Sequence, residues 1–331
     1  MGASAGHESV SPKNSDDFGC VLDDQPSHLV PERLLGGPGN HRRDGELIFN
    51  PCCHLPGDDK WPSRLAEAGQ GLPESRGDDL WLVWVQCATT ESWAPCWVGP
   101  ELESDIRRVR RDRDEIAKLS PLVRTLLRRA GILVPPTHIE EGRSQWEHTV
   151  EGCRRKFHAA GYAPIPGLIH PFQLGELRRY FRRQIRTGKV RLGDGQSPLR
   201  YIAHNDPAAR FFHLQLRKAV SDLVGEPVKP SYVYMASYQG GARLERHTDR
   251  AQCEFSVTLC LDYAPEPSGA SPWPLYLDTP TGTATIYQAL GDGLLYRGRD
   301  LPHYRRTLAP GHSSTSIFFH YVTENFDGPL D

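Results

Sequence analysis

The sequence has no long apolar run and few cysteines. A membrane-spanning helix needs roughly 20 consecutive apolar residues, and no stretch of this chain approaches that length. The first twenty residues also lack the apolar segment of a secretory signal. With 8 cysteines in 331 residues, the chain is far from the density of a disulfide scaffold. These absences predict a cytoplasmic protein without a membrane partner.

An excess of charge of either sign is also missing. The chain has 39 Lys and Arg residues against 41 Asp and Glu residues, for a formal net charge of -2. The arginines between Arg107 and Arg113 lie among acidic residues, which favours a solvated helix face over a phosphate-binding groove. Nucleic acid is therefore not an expected partner. None of these patterns predicts an oligomeric state.

Composition divides the chain into three parts. Residues 1–45 are rich in Gly, Ser, Asp and Pro without an apolar period, which predicts a flexible leader. Residues 46–134 are predicted to form a small α/β module that binds part of a substrate or a partner, or that covers the next domain. Residues 135–331 are predicted to form the catalytic domain, since Pro135 and Pro136 break the chain between the two.

The N-terminal module is predicted from one strand and two helices. Residues 80–86 read LWLVWVQ, an apolar run typical of a buried strand. Ser120 and Pro121 are typical of the start of a helix. Cysteines and one histidine in this region could hold zinc, but they contain no C-x-x-C pair, and ordinary thiols are the alternative. They are Cys52, Cys53, His54, Cys87 and Cys96.

The third part begins with helices and ends with strands. Ser144 and Glu147 suggest a capping box at the start of a helix that Gly161 ends. Amphipathic stripes predict further helices over 172–185 and 211–224. Short strand-like runs then follow, punctuated by Gly and Pro: 232–238, 254–263, 274–277, 283–287, 293–296, 304–308 and 314–322. Helices followed by many short strands predict an α+β domain with an antiparallel sandwich or barrel.

Within this strand region, three residues form a candidate metal site. In an extended chain His247 and Asp249 face the same side, because successive side chains alternate. His303 lies several strands later, after the turn at 291–293, where an antiparallel barrel could bring it to the same point. Two imidazoles and one carboxylate on one face leave three adjacent positions open, which suits iron(II) better than tetrahedral zinc.

From about Pro230 to Val322 the chain resembles the Fe(II)/2-oxoglutarate-dependent dioxygenases, in their prolyl-4-hydroxylase-like branch. The resemblance rests on residues 238–241 (YQGG), 247–249 (HTD), 301–303 (LPH) and 316–321 (SIFFHY). It implies a double-stranded β-helix, or jelly roll, that binds Fe(II) and 2-oxoglutarate, with ascorbate as a further candidate. The implied reaction oxidises an unactivated carbon, most often to an alcohol, and converts 2-oxoglutarate to succinate.

The chain departs from this family at the residue that anchors the cosubstrate. The family usually places Arg or Lys nine or ten residues after the second histidine, where His312 and Ser313 stand here. Arg305 shares a strand face with His303 and is the candidate replacement, with a surface arginine as the alternative. Tyr238 resembles the tyrosine of the cosubstrate pocket, with a core role as its alternative.

Two other functions compete with a hydroxylase. Iron halogenases of the same superfamily replace the carboxylate ligand with a small residue, so Asp249 argues against that reaction. A metal-binding β-barrel without 2-oxoglutarate turnover, such as a cupin-like isomerase or a binding module, is the other alternative. The expected substrate is a small molecule or a peptide; amino acids and natural-product intermediates fit equally well.

Overall fold

The computed structural model describes residues 46–58 and 81–331, and the predicted leader lies outside these ranges. Before residue 135, these described ranges contain short strands and three helical segments, one of them a 3-10 helix at Arg113–Lys118. In chain order the others are β1 (Ile48–Phe49), β2 (Cys53–His54), β3 (Trp81–Gln86), β4 (Trp93–Val98), α1 (Pro100–Arg111), α2 (Pro121–Arg129) and β5 (Leu133–Val134).

The remaining elements begin with helices and continue as strands, as the sequence predicts. The first group is α3 (His138–Ala160), β6 (Tyr162–Ile165), α4 (Pro171–Arg186), β7 (Arg191–Leu192), β8 (Arg200–His204), α5 (Pro207–Gln215) and α6 (Arg217–Val224). The second group is β9 (Val228–Gln239), β10 (Leu244–His247), β11 (Phe255–Ala264), β12 (Leu275–Thr279), β13 (Gly282–Ile286), β14 (Gly293–Tyr296), β15 (His303–Arg305) and β16 (Ser313–Thr323).

Helix boundaries confirm some predictions and correct one. The Ser120 side chain caps α2 by accepting a hydrogen bond from the Val123 amide, and Gly161 ends α3 in a left-handed conformation that glycine adopts without strain. The predicted capping box at Ser144 and Glu147 is wrong, because α3 already begins at His138. Both residues lie inside the helix, where their backbone amides find helical partners and need no cap.

Two antiparallel sheets form the centre of the C-terminal half. The larger has the order β6-β14-β11-β16-β9-β8-β7, and the smaller has the order β10-β15-β12-β13. From β9 to β16 the chain alternates between the sheets, placing β9, β11, β14 and β16 in the larger and β10, β12, β13 and β15 in the smaller. The predicted mixture of helices with an antiparallel, strand-rich half is therefore confirmed.

Each face of the larger sheet has its own partner. On the outer face, Val233, Val257 and Phe319 belong to a buried cluster with helix residues such as Phe157 and Phe211. On the inner face, side chains cluster with those of the smaller sheet, as Tyr238 does near Leu244 and Tyr296 near Leu277. Helices thus cover one side of the larger sheet, and the small sheet covers the other.

The strands and helices before residue 135 pack onto this arrangement. Trp84 and Trp93 are buried in the same cluster as the helices of the C-terminal half, and the Trp93 amide donates to Gln215 Oε1 at 3.0 Å. The sequence did not predict β4, in which Pro95 interrupts an otherwise strand-like pattern. In the described part of the chain, no helix has both the length and the apolar character that a membrane crossing requires.

Candidate metal centre

The predicted metal ligands lie where two short strands pair. His247 is the last residue of β10, and it pairs directly with His303, the first residue of β15. Asp249 follows two residues after His247, and its backbone N–H donates to the Gly298 carbonyl at 2.9 Å. The fold therefore brings His303 to His247 and Asp249, although the sequence separates it from both by more than fifty positions.

The three side chains converge closely enough to share one cation. One possible ligand atom from each residue lies within 4.8 Å of the others. Asp249 Oδ1 is 3.7 Å from His247 Nε2 and 3.5 Å from His303 Nε2. The His247 side chain is 24% exposed, whereas that of His303 is 4% exposed, so the group is open on the His247 side.

Hydrogen bonds from Nδ1, the ring nitrogen that faces away from the proposed metal, fix both imidazoles in the tautomer that a metal needs. His247 Nδ1 is 2.8 Å from the Glu245 carbonyl, and His303 Nδ1 is 3.0 Å from the Leu301 carbonyl. A carbonyl can only accept, so each Nδ1 carries the proton and donates. In a neutral ring, each Nε2 then has a lone pair available for a metal.

The ionisation of the site also suits a cation. Burial and the neighbouring His303 lower the pKa of His247, which favours its neutral form. Burial acts to raise the pKa of Asp249, but His303, His320 and the Ser256 hydroxyl outweigh it, so the pKa is lowered. These shifts favour a charged Asp249 carboxylate and a neutral His247 imidazole, which are the protonation states that bind a metal.

The back of the Asp249 carboxylate has partners that no sequence pattern singled out. Its Oδ2 accepts a hydrogen bond from Ser256 Oγ at 3.0 Å. A Cβ added to Gly298 would lie 2.4 Å from the same Oδ2 and 2.5 Å from Ser256 Oγ. Only a glycine at position 298 leaves room for this hydrogen bond.

A second trio shares Asp249 with the first and is less suited to a metal. Asp249, Cys253 and His320 also place ligand atoms within 4.8 Å of one another. The Cys253 thiol, however, contacts the Tyr232 hydroxyl at 3.0 Å, and burial raises its pKa to about 12. His320 contacts Ser256 at 3.0 Å. These atoms are already hydrogen-bonded, and the sulfur is a thiol rather than the thiolate that binds metals.

The candidate zinc ligands of the N-terminal module do not assemble. Among the residues that the structure describes, His54 and the cysteines at 52, 53, 87 and 96 form no group of three converging ligand atoms. Burial raises the pKa of Cys52 and raises that of Cys53 more strongly. Ordinary thiols, the alternative interpretation, fit these positions.

A cavity of about 280 Å³ adjoins the metal centre. Its wall includes the three candidate ligands, inner-face residues of the larger sheet and the loop that precedes β8. The lining residues that matter most here are Asp194, Arg200, Tyr232, Tyr234, Tyr238, Leu244, Arg250, Tyr296, Phe318 and His320. The volume is just below the range of typical small-molecule sites, so it suits a small cosubstrate together with one reacting group.

Tyr238, one of the two predicted cosubstrate residues, lines this cavity. Its side chain is buried, and its hydroxyl accepts a hydrogen bond from Arg200 Nη1 at 2.7 Å. Arg200 also forms a salt bridge with Asp194, whose second partner is the Tyr234 hydroxyl at 2.7 Å. No sequence pattern singled out Arg200, because the strand β8 that carries it has little periodicity.

Arg305, the other predicted cosubstrate residue, is buried rather than a surface arginine. It is 6% exposed, its guanidinium lies 4.7 Å from the centre of the Trp273 ring, and Nη1 donates to the Trp273 carbonyl at 2.5 Å. Burial lowers the pKa of Arg305, and the titratable neighbours that oppose this shift are Tyr238, Cys260 and Tyr296. None of these neighbours is a carboxylate.

The residues at the usual anchor position have other partners. His312 Nδ1 lies 2.8 Å from the Tyr263 hydroxyl, so its ring is engaged away from the cavity wall. Ser314 and Ser316 are both buried on β16, in alternation with the outer-face residue Ile317. They therefore share the inner face of the larger sheet.

Comparisons with known proteins give structural likeness alone. No protein-family model matches the chain, and no curated protein matches it. Solved structures of Fe(II)/2-oxoglutarate oxygenases do resemble it. A prolyl-4-hydroxylase from Pseudomonas putida has a TM-score of 0.44 at 16% identity, over 53% of this chain and 100% of that one.

Two structures from Streptomyces are similar to the same extent. AviO1 from Streptomyces viridochromogenes Tue57 has a TM-score of 0.45 at 19% identity, over 54% of this chain and 97% of that one. HygX from Streptomyces hygroscopicus was solved with nickel, 2-oxoglutarate and hygromycin B bound. It has a TM-score of 0.41 at 15% identity, over 52% of this chain and 86% of that one. The function of this chain is therefore argued from its own site.

Proposed function

We propose that this protein is an Fe(II)- and 2-oxoglutarate-dependent dioxygenase with a double-stranded β-helix core. The main support is the convergence of His247, Asp249 and His303 beside a cavity. Both histidines are in the tautomer that leaves Nε2 free to bind a metal. The alternation of β9 to β16 between two packed sheets supports the proposed core.

The donor set fits iron(II). Two imidazole nitrogens and one carboxylate oxygen would hold the ion on one side and leave the cavity side for other ligands. Iron(II) with bound 2-oxoglutarate supplies dioxygen-dependent oxidation of a carbon–hydrogen bond. The residues of this chain hold the ion, bind the cosubstrate and orient the substrate in a site that is shielded from water.

Arg305 and Tyr238 are proposed to bind the cosubstrate. A guanidinium matches a carboxylate with two parallel hydrogen bonds, and no carboxylate is among the titratable neighbours that act on the pKa of Arg305. Arg200 donates to the Tyr238 oxygen, so the Tyr238 hydroxyl hydrogen remains available for the same ligand. Arg200 itself is neutralised by Asp194, which makes it the weaker candidate anchor.

The reaction and substrate are proposed at a coarse level. Since the carboxylate ligand is present at position 249, hydroxylation is favoured over halogenation. The remaining cavity beside Tyr232, Tyr234 and Phe318 has aromatic walls and accommodates one reacting group, which is proposed to belong to an amino acid, a peptide or a natural product. Residues 46–134 are proposed as a separate module that covers the catalytic domain 135–331.

Anaerobic spectroscopy tests the proposal. Protein with iron(II) and 2-oxoglutarate should show a weak visible charge-transfer band, and His247→Ala should lose it. Succinate release is then screened over amino acids, short peptides and peptide extracts, with ascorbate present. Absence of the band in the wild-type protein would instead favour a metal-binding barrel that does not use 2-oxoglutarate.

A further inference from the structure

The two oxygens of the Asp249 carboxylate have different surroundings. Oδ1 faces the imidazoles, at 3.7 Å from His247 Nε2 and 3.5 Å from His303 Nε2. Oδ2 faces away from them and accepts from Ser256 Oγ at 3.0 Å. The carboxylate is therefore oriented with one oxygen toward the metal centre and the other toward the larger sheet.

Directional hydrogen bonds link this carboxylate to a buried histidine. Ser256 has a single hydroxyl hydrogen, which it must donate to Asp249 because a carboxylate only accepts. Ser256 Oγ then accepts from His320 Nδ1, 3.0 Å away. His320, Ser256 and Asp249 thus form a chain of donors that ends on Oδ2.

The far end of this chain is held by the larger sheet. Ser256 on β11 pairs directly with His320 on β16, so the two side chains share the inner face of the sheet. The His320 carbonyl accepts from His213 Nε2 at 2.7 Å, and the His320 ring packs 4.6 Å from that of Tyr232. Ser256 and His320 are both buried, with 0% and 5% of their surface exposed.

We infer that Ser256 and His320 are positioning residues that hold Asp249 as a one-oxygen metal ligand. This inference rests on the proposed function. With Oδ2 occupied by Ser256, the carboxylate presents only Oδ1 to the ion, and a coordination position stays open for the cosubstrate or dioxygen. Hydrogen bonds to a ligating carboxylate typically change metal affinity by about 10- to 100-fold.

Cobalt(II) is a suitable probe, because its visible spectrum reports its coordination without catalytic turnover. In the full-length protein, Ser256→Ala should weaken cobalt(II) binding about 10- to 100-fold and change the spectrum of the bound ion. Thr258→Val is the matched control. Thr258 is also fully buried on the inner face of β11, but its hydroxyl contacts the Tyr296 hydroxyl at 3.4 Å.

A second pair of variants tests His320 separately. His320→Leu removes the donor to Ser256 and should weaken cobalt(II) binding by a similar factor. His320→Asn places an amide N–H near the former Nδ1 and should restore affinity to within about threefold of the wild type. Thermal unfolding of the metal-free variants checks that each one is folded.

The outcomes separate this inference from the proposed function. Equal cobalt(II) affinity and spectrum in Ser256→Ala and Thr258→Val would overturn the inference while leaving the metal site intact. If His320→Leu and His320→Asn weaken cobalt(II) binding equally, His320 is not a positioning residue. A wild-type protein that binds no cobalt(II) at His247, Asp249 and His303 would overturn the proposed function, and the inference with it.

Discussion

At the scale of single residues, two buried arginines differ in how their charge is balanced: Arg200, which lines the cavity, and Arg305, which is not among the residues of its wall. Arg200 forms a salt bridge with Asp194, whereas the titratable neighbours that act on the pKa of Arg305 are two tyrosines and a cysteine. An unbalanced charge in a protein interior costs several kcal/mol. Binding a dicarboxylate beside Arg305 would offset this cost, so the imbalance favours an anionic ligand.

The charge of Arg305 can be removed with little change in volume. Arg305→Gln should raise the dissociation constant for 2-oxoglutarate by about 10- to 100-fold, the worth of one charge-assisted pair. Titration of the visible band measures this constant. Arg306→Gln, an exposed neighbour on the same segment, is the control. If Arg200→Gln weakens 2-oxoglutarate binding and Arg305→Gln does not, the anchor is Arg200.

A single methyl group at position 298 should disturb the metal centre. The added Cβ of Gly298→Ala would overlap Asp249 Oδ2 and Ser256 Oγ, so the carboxylate must move. Iron(II) affinity measured by anaerobic titration should fall at least about tenfold. Gly269→Ala, where a Cβ meets nothing within 4 Å, should bind iron normally. Unchanged affinity in both variants would contradict the described packing.

At the scale of elements, the sequence predicted what local periodicity determines. The strands 293–296 and 314–322 and the helix ending at Gly161 were found because alternation, apolar spacing and a cap residue define them. The predicted helix over 211–224 is two helices that meet at Leu216. Their apolar stripe continues across this break, so periodicity alone did not separate them.

Local sequence patterns could not predict the contacts between elements that are distant in the sequence. The two histidines could be proposed as partners because residue types with metal chemistry are few. Ser256, Gly298 and Arg200 are common residue types. The roles of Ser256 and Gly298 depend on how β11, β16 and the turn after β14 come together, and that of Arg200 depends on the pairing of β8 with β9. No spacing in the sequence encodes that pairing. The burial of Arg305 likewise depends on Trp273, thirty-two residues away.

The contact between α4 and β11 gives a prediction at the same scale. Arg178 on α4 is fully buried and bonds Asp262 on β11 at 2.9 Å and Glu266 at 2.7 Å. Asp262→Ala removes the more buried of the two carboxylates that bind this guanidinium, and it should lower the free energy of unfolding by about 3–5 kcal/mol. Chemical denaturation measures the change.

A surface ion pair provides the comparison for Asp262→Ala. Glu103 and Arg107 lie 2.8 Å apart on α1, with their side chains 30% and 42% exposed. Glu103→Ala should cost less than about 1 kcal/mol, because water screens this pair. If the two variants lose equal stability, the Arg178 cluster is not the stabilising contact described.

At the scale of the whole molecule, the strands before residue 135 and the C-terminal half share buried surface. Trp84 of β3 lies 6.0 Å from Phe211 of α5, ring to ring, and Gln173 of α4 donates to the Pro95 carbonyl at 3.1 Å. A substrate-binding module could be dispensable for folding. Shared tryptophans instead favour a covering role for residues 46–134.

Truncation distinguishes a substrate-binding role of residues 46–134 from a covering role. Deleting residues 1–134 would expose the apolar surface that Trp84 and Trp93 bury, so stability should fall. Succinate formation without substrate and substrate hydroxylation should then fall together. A truncated protein that still forms succinate but no longer hydroxylates its substrate would assign substrate binding to the module. Activities are compared well below the unfolding temperature of each protein.

The pairing of His247 with His303 has a consequence for dynamics. The strands that carry them have only 4 and 3 residues, so the backbone alone holds this edge of the small sheet weakly. A metal bound across both strands would act as a cross-link. Amide hydrogen exchange in 244–247 and 303–305 should therefore slow markedly when metal is added, while exchange in β9 and β16 stays nearly constant.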